Sequence, residues 1–189
     1  MVFVLLTARS PDDLTGAVRL WRRRFFGPRH KGRRRKVCPQ EYHDIEATGE
    51  QRAFILEQLV RDDARAWAVL KQGYHPREYP YVVADLLLAS GVVESDRVLL
   101  DERDDHRRRA EYRRIIHERT GIQDLQVEWA RSLERKELQA CDALAGAIGR
   151  GWRGLPESCV DITMKLLVRP LLILPPDQYR HHQEQERSG

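Results

Sequence analysis

The sequence predicts an α/β protein, a central mixed sheet flanked by helices, and three observations lead there. Short apolar runs without polar alternation, such as Val98-Leu99-Leu100, read as strands covered on both faces. Longer stretches that repeat apolar residues every three or four positions read as helices. The two kinds interleave along the chain, which is the pattern of a sheet with helices packed on it.

Val2–Leu6 is the first strand. Ser10 then caps a helix, with Pro11 in its first turn and Asp12 and Asp13 beside the positive end of its dipole. Leu14, Val18 and Trp21 share one face of this helix, and Gly27-Pro28 frays its end. Arg29–Pro39 is basic and carries Gly and Pro, so it reads as a loop. A second helix, Gly49–Arg61, offers Phe54, Leu56, Leu59 and Val60 to a core. Ala64–Leu70 is a strand closed by Gly73, and Tyr79–Ala89 is a helix whose first turn Pro80 fixes. Arg97–Asp101 is a strand, followed by a helix over Asp105–Arg119 that turns Tyr112, Ile115 and Ile116 inward and stops at Gly121. Ile122–Trp129 alternates Leu125, Val127 and Trp129 as a strand does, and Lys136–Ile148 is a helix ended by "IGRGWRG". Past Gly154 an extended arm, Ile162–Leu174, precedes a polar tail expected to be disordered. The arm pairs either with its own sheet or with a second subunit, and edge pairing of the latter kind gives a homodimer. The expected organisation is one domain over residues 1–154, with the arm and flexible tail over 155–189.

Composition narrows the class. A chain of 189 residues, 41% apolar, is long enough to bury a sizeable core, while 33% charged residues leave an ionic surface. The net charge is only +4, yet Arg22–Lys36 holds nine Arg or Lys and no acid. Cys38, Cys141 and Cys159 are widely spaced without a CxxC pair, which argues against a zinc ribbon or disulfide scaffold and fits a reducing cytosol. "MVFVLL" is too short for a signal peptide, and Val160–Leu174 is interrupted by Asp161, Lys165, Arg169 and Pro170, so neither segment inserts in a membrane. A soluble cytoplasmic protein is expected.

Two acidic positions stand out. Asp101 and Glu102 end a strand, and in open α/β sheets ligands bind beyond the carboxyl ends of strands. The plainer reading is that the strand simply reaches water there. On Lys136–Ile148 the apolar stripe is Leu138, Cys141, Leu144, Ala145 and Ile148, which places Asp142 at the edge of the buried face. Gln139 lies one turn before it and Gly146 one turn after, forming a polar notch. A partly buried carboxylate needs a cation beside it, either a metal ion or one of the chain's many arginines. The run Arg33-Arg34-Arg35-Lys36 supplies positive charge suited to nucleic-acid phosphates, or is a solvated loop. Phe25 and Phe26 adjoin that loop and are read as core, with base stacking as their minor alternative. Arg107, Arg108 and Arg109 alternate with acids such as Glu111 and read as an ordinary solvated face.

"VLLDER", the Arg-rich helix after it and "WARSLERKELQACDALAGAI" together resemble the domain of unknown function 3800 family, over roughly residues 1–154. The family pattern of a strand ending in Asp, a Ser, then Leu-Gln-x-x-Asp-x-x-x-Gly falls here on Asp101, Ser132, Leu138, Gln139, Asp142 and Gly146. "QEYH" is similar to an acid-bearing segment of the family and adds Glu41 and His43. The resemblance implies an RNase H-like fold and a metal-dependent nuclease or phosphodiesterase, a hydrolase acting on nucleic acid. It implies Mg²⁺ or Mn²⁺ held by Asp101, Asp142 and Glu41, with Glu102 beside them in the catalytic set. His43, Ser132 and Gln139 would support those ligands. Family members open with a strand carrying Asp-Glu-Ser-Gly, whereas this chain starts at what reads as the following strand. Either that segment lies upstream, or a ligand has been lost and the fold serves as a nucleic-acid-binding or assembly module.

Overall fold

The structure, a computed structural model, describes residues 1–26, 42, 47–101, 108–154, 159–176 and 178–179. The basic run Arg33–Lys36, together with Glu41, His43 and Glu102, lies outside the described residues. Two compact units are formed, each from separate stretches of chain: residues 1–5, 67–129 and 169–189 make the first, residues 6–66 and 130–168 the second.

The first unit is built on strands. β1 (Val2–Thr7), β2 (Arg65–Lys71) and β5 (Leu172–Leu174) form a three-stranded sheet in the order β1-β2-β5. Met1 and Lys71 exchange both backbone hydrogen bonds at 2.9 Å, the pairing of antiparallel neighbours. β5 runs parallel to β2, with Val69 opposite Leu172 and Lys71 opposite Leu174, so the sheet is mixed. β3 (Arg97–Asp101) and β4 (Gln126–Ala130) pair in a separate two-stranded sheet rather than extending the first. Across that pair the Arg97 guanidinium donates twice to the Glu128 carboxylate, at 2.9 and 2.8 Å.

Helices α3 (Tyr79–Ser90) and α4 (Arg109–Thr120) pack on each other in this unit. α3 is apolar nearly all round, and most of it is buried, as such a helix must be. Gly91 and Gly121 end the two helices in the left-handed conformation that glycine adopts without a Cβ penalty. The core between these elements includes Phe3, Val69, Val82, Leu86, Leu100, Ile116, Val127 and Leu174.

The second unit is helical: α1 (Pro11–Phe26), α2 (Gly49–Arg61), α5 (Lys136–Trp152) and α6 (Val160–Leu166). α1 packs against α2 and α5, and α6 packs against the same two helices. α1 buries Leu14, Val18 and Trp21 as the periodicity predicts. On α2 a capping box closes the start, Thr48 accepting from the Gln51 N–H and Gln51 from that of Thr48. Its buried face carries Ile55, Leu56 and Leu59, whereas the expected Phe54 and Val60 are only half-buried.

Two expectations are corrected here. α5 does not stop at Ile148 but continues through its glycines to Trp152, where the Arg153 side chain donates to the Gly149 carbonyl at 3.0 Å. Gly151 faces Val160, whose Cγ2 would lie 3.8 Å from an added Cβ, an ordinary van der Waals contact. The extended arm over Ile162–Leu174 is in fact α6 followed by a single bridge, Leu167 to Ala66, and then β5. Alternating apolar residues in "VDITMKL" suggest a strand, but packing against α2 and α5 selects the helix, with Thr163 and Leu166 inward. Of the two pairings open to the arm, β5 takes the one within its own sheet.

Candidate functional site

α5 is preceded by a turn at Ser132–Glu134, in which the Glu134 and Arg135 N–H groups both donate to the Arg131 carbonyl. Gln139 sits one turn into the helix and is fully buried. Its Nε2 donates to the Ser132 carbonyl at 2.7 Å, and its Oε1 accepts from the backbone N–H of Tyr42 at 3.1 Å. A single side-chain amide therefore ties the turn at Ser132 and the chain at Tyr42 to α5, satisfying backbone groups that the interior would otherwise strand. Tyr42 is 1% exposed, and its ring meets the edge of Trp21 at 5.2 Å, with Phe26 on Trp21 at 5.4 Å.

This arrangement joins Gln139 to the Ser132 backbone carbonyl, and it adds a residue that sequence reasoning passed over. Tyr42 lies between Glu41 and His43 in the chain. An aromatic residue inside a polar stretch was the available signal, because its large apolar surface must be buried somewhere.

Asp142 departs from expectation. It is exposed, not at the edge of the buried face. The tight face of α5 is centred on Ala140, Ala143, Leu144 and Ala147, all at most 3% exposed, and Asp142 projects from the opposite side. The sequence stripe weighted the large residues, whereas three of the seven buried residues of α5 are alanines. Desolvation therefore does not force a cation onto Asp142. Asp101 ends β3, half-buried, and belongs to the first unit while Asp142 belongs to the second. Among the described residues no group of three His, Cys, Asp or Glu side chains is placed to hold a metal ion. The described residues thus do not by themselves fit the two-metal centre that the resemblance implies.

The positive charge is easier to place. The second unit carries 20 Lys and Arg against 14 Asp and Glu, and the first 13 against 15, so the basic excess lies entirely in the helical unit. On α1 the exposed residues of the last turns are Arg19, Leu20, Arg23 and Arg24. Arg19 and Arg23 lie one turn apart on the same face, and Arg23 and Arg24 occupy the last turn, at the negative end of the helix dipole, where cations are stabilised. Arg24 lies over the Phe54 ring at 5.1 Å, and Phe25 packs edge-on against Phe54 at 5.8 Å. Phe25 and Phe26, both half-buried, are thus engaged by Phe54 and Trp21 respectively.

No protein-family model, curated protein or solved structure matches this chain. The class the described residues define is a mixed α/β protein with six helices, a small mixed sheet and a two-stranded sheet. Among them no helix is long and apolar enough to cross a membrane.

Proposed function

We propose that this protein binds nucleic acid through phosphate contacts made by α1 and the basic stretch that follows it. The observation that carries this reading is the concentration of charge. Exposed Arg19 and Arg23 on one face of α1 lead directly into a run whose nine basic residues begin at Arg22 and end at Lys36. Such a surface attracts a polyanion, releases its counterions and so gives affinity that falls with salt. Arginine's forked guanidinium suits phosphate oxygens better than lysine's point charge, and arginine dominates here. The test is a fluorescence-anisotropy titration of labelled single- and double-stranded oligonucleotides across a salt series. Replacing Arg33, Arg34, Arg35 and Lys36 with Ala should weaken binding and reduce the slope of log K against log salt by about 3 to 4 for a duplex. An unchanged affinity and slope would show that the stretch is only a solvated loop.

One observation favours the second reading, an RNase H-like metal-dependent nuclease in the cytoplasm. Gln139, on the helix that bears Asp142, holds the backbone of the residue between Glu41 and His43. That reading needs Glu41, Glu102 and Asp101 beside Asp142, with Mg²⁺ or Mn²⁺ as the ion. Calorimetric Mn²⁺ titration of the wild-type protein and of Asp142→Asn, alongside a cleavage assay, tests it. Equal Mn²⁺ binding by both proteins removes Asp142 from the ligand set.

A further inference from the structure

β5 has only three residues, and two of them, Leu172 and Ile173, are exposed, so its ladder with β2 is a weak anchor. What fixes it comes immediately after. Lys71, at the end of β2, is fully buried, and its ammonium donates to the carbonyls of Pro175 at 2.7 Å, Pro176 at 2.9 Å and Gln72 at 3.0 Å. The Glu78 carboxylate stands 3.5 Å away as its counter-charge. Pro176 lies against Gly73, where an added Cβ would approach to 3.0 Å. The second fastening is Tyr179, 1% exposed, with its ring stacked on Tyr81 at 5.7 Å. Its hydroxyl donates to Asp85 at 2.6 Å, and the other Asp85 oxygen accepts from Arg119 Nε at 2.9 Å. Arg119 also lies 5.9 Å from the Tyr179 ring and 5.7 Å from that of Tyr81.

We propose that Pro175, Pro176 and Tyr179 form a latch on the first unit, closed by Lys71 at one end and by the Tyr81–Asp85–Arg119 cradle at the other, and that the latch controls whether β5 stays docked on β2. Among the described residues the polar locks lie at the two ends, on Lys71 and on Asp85. Opening strips Lys71 of two carbonyl acceptors, uncovers an aromatic surface bearing both a carboxylate and a guanidinium, and frees the β2 edge. The fold thereby carries a segment that opens as a piece instead of fraying residue by residue.

Single-residue hydrogen exchange by NMR tests this. The amide of Gln72 donates to the Leu174 carbonyl at 3.1 Å and reports on β5 docking. Tyr179→Phe removes the hydroxyl and keeps the ring, and should raise exchange at Gln72 and along β5 about tenfold, the loss expected of a hydrogen bond to a charged acceptor. Amides of α1, α2 and α5 should keep their wild-type rates. Asp85→Asn should reproduce the effect, and the double variant should add little to either single one. Unchanged exchange at Gln72 in both single variants, or a rise of equal size throughout both units, would overturn the latch.

Discussion

Replacing Gln139 by Leu should destabilise the helical unit far more than its size suggests. Leucine nearly preserves the volume of the side chain, so the change isolates the two hydrogen bonds it makes, to the Ser132 carbonyl at 2.7 Å and from the Tyr42 N–H at 3.1 Å. Gln139 is fully buried, so water does not replace the lost partners. Each stranded backbone group costs about 1–3 kcal/mol, which gives a loss of about 2–4 kcal/mol if Ser132, at the margin of the interior, recovers part of its share. Against a total of about 5–15 kcal/mol for a domain this is a large fraction. Urea unfolding followed by tryptophan fluorescence is the assay, since Trp21 touches Tyr42 and reports on this corner of the unit. The midpoint should fall while the denaturant dependence stays constant. Gln139→Glu should fare no better, because it keeps the acceptor for Tyr42 but exchanges the donor to Ser132 for a buried charge. A loss below about 0.5 kcal/mol for Gln139→Leu, within the range of surface substitutions, would refute the view that this amide organises the site.

Other outcomes follow from single features. Burial first and the hydrogen bond to Asp85 second hold the Tyr179 phenol above its ordinary range. A value raised by folding contributes stability that is complete below the unfolded-state value of about 10 and is lost as pH climbs past it. Urea unfolding should therefore show stability declining above about pH 10, with a shallower decline in Tyr179→Phe. Two glycines should respond to alanine with opposite signs in thermal unfolding. Gly16 sits within α1 with open space around an added Cβ, so Gly16→Ala should stabilise by about 0.5–1 kcal/mol. Gly121 also has open space but a φ of +75°, so Gly121→Ala should cost about 1 kcal/mol from backbone strain alone.

Much of the local structure was legible in the sequence because it obeys short-range rules. The helix over Gly49–Arg61 and the strand over Arg97–Asp101 match the expected bounds, since a periodic apolar face and a bounded apolar run are local facts. Asp142 was misplaced because helical periodicity ranks residues by hydrophobicity, and alanine ranks low although it permits the closest helix contacts. α6 was missed for a related reason: seven residues with alternating apolar side chains carry no helix signal until α2 and α5 provide a surface for them. Gln139 was legible as part of a polar notch, but its partners at Tyr42 and Ser132 were not, because Tyr42 lies 97 positions away in sequence. Lys71 lies just past the expected strand Ala64–Leu70, and its partners include prolines 104 and 105 positions further on.

That long-range closure bears on how the chain acquires its structure. Both units are assembled from stretches far apart in the sequence, and β2 is flanked in its sheet by the first strand and the last. During synthesis β2 emerges with β1 already present, but its other edge waits until residues 172–174 have been made, roughly a hundred positions later. At ribosomal speeds of about 5–20 residues per second that interval is at least several seconds, in which a strand edge and a lysine destined for the interior face solvent. Contacts of such separation also slow folding through the entropy of closing long loops. The chain therefore has a built-in period of exposure during its own production, and it ends when the last strand arrives.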